Sequence, residues 1–174
     1  AGLHGVNAGY DAWGRLARIE WGLRDNALTA KAPAQVIFET AERSLPSGAI
    51  TCAPEQLTKD TATNWPDVPF DRVCGPAEDC KDRYSPAFFT RKRLTRVLTQ
   101  SLNSAGQYDD VDSWTLRQEF PPTGDGMPRS LWLSGVKRTG HVGEGTATVP
   151  EIVFFGEAKD NRVDGLEGLL PITR

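Results

Sequence analysis

The tightest constraint in this chain is the period of residues 113–120, SWTLRQEF, where large apolar and polar side chains take turns except at Gln118. Side chains of an extended backbone point to opposite sides in succession, so Trp114, Leu116 and Phe120 share one face and Ser113, Thr115, Arg117 and Glu119 the other. A half-buried strand fits that pattern; a helix of 3.6 residues per turn does not. RKRLTRVLTQ precedes it across the turn segment SLNSAGQYDD, and SLWLSGVKRTG follows it across PPTGDGMPR, where Gly124-Asp125-Gly126 supply residues tolerant of positive φ. Together these runs predict an antiparallel meander over residues 91–138.

Three further strands are expected. In RLARIEW, Ala17, Ile19 and Trp21 form an inward row opposite Arg18 and Glu20. AQVIFET, residues 34–40, is continuously apolar at Val36, Ile37 and Phe38, which predicts a central strand covered on both faces. TVPEIVFFGEA adds a strand over residues 151–156, with Pro150 at its start because proline cannot donate to an internal ladder. Residues 41–87 break the pattern. Pro54 suits the first turn of a short helix, with Glu55 near its positive end. NWPDVPFDRVCGPAEDC then reads as an ordered excursion anchored by Trp65 and Phe70. No linker divides the chain, so residues 1–174 read as a single β-rich module: a mainly β antiparallel sheet or sandwich with a meander, short helical turns and a Pro-rich loop excursion.

Composition agrees. The 174 residues suffice for one core, and 17 glycines with 12 prolines favour turns over long helices. A net charge of −3 gives no global attraction to phosphate backbones or anionic lipid, so nucleic acid is not an expected partner. No apolar run reaches membrane-spanning length. The chain begins at Ala1 without a basic-then-apolar leader, which reads as a mature or excised segment.

Three cysteines allow at most one internal bridge. Cys74 and Cys80 enclose only GPAED, and closing that loop would stabilise the fold by roughly 2 kcal/mol; three reduced, buried thiols are the alternative. Neither the cysteine spacing nor the remote His4 and His141 forms a zinc pattern, and no metal or cofactor is expected.

Several ordered blocks carry a resemblance: residues 34–74 (AQVIFET through DRVC), YSPAFFTRKRLTRVLTQ, YDDVDSWTLRQEFPPTGDG, LWLSGVKRTG and NRVDGLEGLLPITR, together with Tyr10-Asp11-x-x-Gly14-Arg15-Leu16. Over residues 10–174 the chain resembles a segment of the secreted actinobacterial RHS/YD-repeat proteins, related in architecture to teneurins and to the C-component shells of Tc toxins. The resemblance implies a secreted or cell-surface location and a noncatalytic structural role, helping to build or support a β-shell, with YD repeats of the same polypeptide as partners. It also implies a cysteine where Ser44 stands, paired with the position of Cys52. This chain departs there, leaving Cys52 without that partner.

Chemical alternatives rest on isolated residues. Asp109, Asp110 and Asp112 offer oxygens to calcium but lack the spacing of an EF-hand loop and read as a solvated turn. Glu39, Glu119 and Glu151 are candidate carboxylates for glycoside hydrolysis, but the polar side of a sheet is the better explanation of all three. Neither Ser85 nor Cys52 sits in a nucleophile motif, and His4 and His141 lie among glycines, as in exposed loops. Arg91, Lys92, Arg93 and Arg96 follow Phe88 and Phe89, a mixture that single-stranded nucleic acid would suit, but strand alternation splits the charges, so a solvated, aggregation-resistant edge is the expectation. Trp21, Trp65 and Trp114 occupy expected inward positions. Trp13 and Trp132 are left as an exposed ligand platform, with carbohydrate as the alternative partner and a hydrolase as a third reading.

Overall fold

The computed structural model describes residues 11, 13–73, 87–123, 128–143 and 145–157. Its contacts divide the chain into two compact units, Ala1–Leu16 with Glu42–Arg93 and Ala17–Ala41 with Leu94–Arg174. The protein is mainly β. Seven strands form one sheet: β1 (Arg18–Trp21), β2 (Ala34–Glu42), β3 (Lys92–Leu102), β4 (Tyr108–Glu119), β5 (Trp132–Val142), β6 (Gly145–Thr148) and β7 (Ile152–Val153). They lie in the order β1-β2-β3-β4-β5-β6, and β7 also pairs with β5.

The expected meander is β3-β4-β5, antiparallel throughout. Its first turn is closed by Asn103, whose Oδ1 accepts the backbone N–H groups of Ala105 and Gln107, while Gly106 takes φ +73°. Gly124, Asp125 and Gly126 of the second turn lie outside the described residues. Along β4 the faces follow the alternation: Phe120 is buried, Trp114 and Leu116 are half-buried, and Thr115, Arg117 and Glu119 are exposed. Ser113 is the correction. It is only 3% exposed, since it sits opposite buried Leu98 on β3 and accepts or donates a hydrogen bond at 3.0 Å with His141 Nε2.

Other expectations change as well. β2 is an interior strand, flanked by β1 and β3, yet Val36, Ile37 and Phe38 are half-buried rather than fully covered. The inward row of β1 is not inward: Ile19 and Trp21 are 46% and 47% exposed, because no layer of described residues covers that edge strand. His141 lies within β5, not in a loop, and a strand that the sequence does not announce, β6, follows it. The C-terminal strand is only two residues long, following Pro150.

The other unit is held by a small core. Trp65, 1% exposed, packs with buried Cys52 and Val68 and with Ile50, Leu57 and Phe89. The helical turn at Pro54 is present as one 3-10 turn, Pro54–Gln56, with Gln56 Oε1 accepting the N–H groups of Thr51 and Ala53. Phe70 is only half-buried and is not part of that cluster, so Trp65 and not Phe70 anchors this segment. Cys74 and Cys80 lie outside the described residues. Among the described residues no helix is long and apolar enough to cross a membrane.

Candidate functional site

The site is built by an interruption of the β4–β5 ladder. Asp112 through Arg117 pair in register with Gly140 through Gly135, after which Gln118 faces Leu133 and Glu119 faces Trp132. Ser134 is therefore an extra residue on β5, a bulge. Alternation alone would send Trp132 and Gly135, three apart, to opposite sides of the sheet; the bulge brings both to the side that carries Arg117 and Glu119.

On that side Arg117 is fixed by all three of its nitrogens. Nε donates to Glu151 Oε1 at 3.0 Å, Nη1 to Glu119 Oε1 at 2.6 Å and Nη2 to the Ser134 carbonyl at 3.2 Å. The hydrogen bond to Glu151 holds the guanidinium pKa above its ordinary value, with the charges of Glu151 and Glu119 outweighing desolvation. Gly135 makes the arrangement sterically available. A Cβ there would stand 2.4 Å from Glu151 Oε1 and 3.1 Å from Arg117 Nη2.

Beyond β7 the chain continues along β5, with the Phe154 N–H donating to the Ser134 carbonyl at 3.0 Å. Gly156 lies against the Trp132 indole so closely that a Cβ would come within 2.5 Å of Cζ2. These contacts leave a groove of about 400 Å³ walled by Arg117, Glu119, Trp132, Phe154, Phe155 and Glu157, with Ser134 also lining it. Trp132 is 41% exposed and Phe155 91%. Trp13 is exposed to the same degree as Trp132 but belongs to the other unit.

Sequence reading had singled out Trp132, Glu119 and Glu151 for separate reasons, and the structure gathers them around Arg117. It missed Arg117, Ser134, Gly135 and the Phe154-Phe155 pair. The available signal was the run Leu131-Trp132-Leu133, three consecutive large apolar residues that a strictly alternating half-buried strand does not call for.

The remaining candidates are dispersed. Asp109, Asp110 and Asp112 lie within β4 rather than in a turn, and accept hydrogen bonds from Asn103, Gln100 and Arg138 respectively. The Arg138 hydrogen bond holds the Asp112 carboxyl below its usual range. No group of three or more potential metal ligands occurs among the described residues. Glu39 pairs with Arg96. The basic run is no solvated edge, since β3 is interior to the sheet; Arg91 and Lys92 are paired with Glu42. Cys52 is buried and unbridged, at φ +63°, and Ser44 is buried too. His4 and Ser85 lie outside the described residues. Comparison of the chain with protein-family models, with curated proteins and with solved structures gives no match.

Proposed function

We propose that the chain is a noncatalytic structural module of a large secreted or cell-surface protein of the RHS/YD-repeat kind, in which other segments of the same polypeptide extend and cover its sheet. The carrying observation is the bare apolar edge at β1, where Ile19, Trp21 and Leu23 are all exposed. Large apolar side chains along a strand whose outer edge is free favour association, because pairing satisfies the free ladder groups and removes the side chains from water together. Ile152, 62% exposed on β7, adds apolar surface at the opposite side of the sheet.

The noncatalytic reading draws on the same geometry. Glu39 is paired with Arg96, Glu119 and Glu151 share Arg117, and the Cys52 thiol is buried. The test is amide hydrogen exchange on this chain and on a longer one that includes its flanking parental segments. Slower exchange over residues 15–21 and a higher Tm in the longer chain are expected. Equal protection in both would mean that the module is self-contained and that the shell reading fails.

A further inference from the structure

We propose that β1 is a self-complementary edge through which two copies of this chain pair antiparallel, about a two-fold axis at Ile19. Such pairing goes beyond the structural role proposed above and does not depend on it: a flanking segment laid on β1 and a second copy are rival occupants of one edge. An open edge does not by itself name an occupant. The order of its side chains does.

The backbone fixes which groups face outward. In the β1–β2 register Arg18 lies opposite Ile37, Ile19 opposite Val36, Glu20 opposite Gln35 and Trp21 opposite Ala34. The Phe38 N–H donates to the Ala17 carbonyl at 2.9 Å, so the hydrogen-bonded pairs of this ladder belong to Ala17, Ile19 and Trp21. Arg18 and Glu20 therefore turn their N–H and C=O groups to the outer side, where β1 is the last strand of the sheet among the described residues. A strand added there hydrogen-bonds through these two residues.

Side chains then select the strand. A copy of β1 whose Ile19 faces Ile19 sets Arg18 opposite Glu20 of the second copy and Glu20 opposite its Arg18. Each such pair matches opposite charges and exchanges both of its ladder hydrogen bonds. Sliding the copy by two residues loses this, because arginine then faces arginine or glutamate faces glutamate, and like charges directly opposite destabilise a pair. A slide by one residue sets Ile19, whose backbone groups are spent on β2, opposite Arg18. On the other face the matched register lays Ala17 against Trp21 of the second copy, small against large, with the two Ile19 side chains between. Ile19 and Trp21, 46% and 47% exposed, lose apolar surface to water in the pair. A strand of four residues buries less than a standard interface, so the dimer is weak and dissociates on dilution.

Sedimentation equilibrium of the chain at rising concentration is the test, with charge reversal to read the register. A monomer–dimer equilibrium is expected. Arg18→Glu and Glu20→Arg, both at exposed positions, each set like charges opposite and are expected to weaken the dimer roughly tenfold. Mixed together, these two variants match again and are expected to form a heterodimer. A chain that stays monomeric, assemblies larger than a dimer, a dimer indifferent to the single reversals, or mixed variants that stay apart would each overturn the proposal. Should a single reversal fail to fold, the Arg18→Glu/Glu20→Arg double variant decides: it is expected to pair with itself and not with the native chain, and free exchange between the two is the adverse result. The hydrogen-exchange comparison with the longer chain, run at a concentration where the dimer is dissociated, reports on flanking segments alone, so the two readings fail separately.

Discussion

Gly135 shows what one absent side chain can permit. The Arg117–Glu151 ion pair lies over its Cα, so adding a methyl group forces the Glu151 carboxylate to move by an amount that its flexible stem can absorb only by leaving Arg117. Gly135→Ala is therefore expected to destabilise by about 1 kcal/mol, the scale of a small overpacking. In a Glu151→Ala background the obstacle is gone, and the same change should be neutral or favourable by a few tenths, since alanine loses less backbone entropy than glycine in a strand. A double-mutant cycle by urea denaturation measures this coupling. Equal costs in both backgrounds would show that the clash lies elsewhere.

At the scale of strands, Glu42 closes β2 and Lys92 opens β3, and their ion pair ties the two ends together. Trp65 Nε1 donates to Glu42 at 3.0 Å and Arg91 Nη2 at 3.3 Å, and the Lys92 ammonium adds a further hydrogen bond. Burial pushes the Glu42 pKa up, but the bonds from Lys92 and Trp65 and the two cationic charges prevail, leaving it below the ordinary value. With the folded pKa the lower one, the unfolded chain takes up a proton first as pH falls. The contribution is complete above about pH 4.5 and drains away as acidification proceeds through the folded value. Glu42→Gln is expected to cost about 1–3 kcal/mol near neutrality and to flatten the acid limb of Tm against pH. Parallel curves for the two proteins would dismiss Glu42 as a source of acid sensitivity. The strands themselves differed in how plainly they were written. β3, β4 and β5 were legible because turn residues bound runs of alternating side chains. β6, GTAT, was not, because all four residues are exposed and burial had imposed no apolar period on them. The row in β1 was legible as a face, but one strand cannot specify what covers it. The groove depends on a bulge, and a one-residue change of register appears in a single strand only as a broken pattern.

For the molecule as a whole, cysteine chemistry checks the compartment. Cys52 is buried and unbridged, and a Cys74–Cys80 bridge would leave it as one thiol titratable after denaturation without reductant, rising to three with reductant. Three thiols without reductant would remove the bridge and weaken the secreted reading. The two borders of the sheet also have different consequences. On the β6–β7 side the outermost strands are four and two residues long, separated by a stretch containing Pro150, so an incoming strand finds no continuous ladder. The β1 side has no such interruption. A like molecule joining at β1, border to border about a two-fold axis, would use the open edge of both copies at once. Such pairing would leave outermost only the short β6 and β7, where a further ladder finds little to extend.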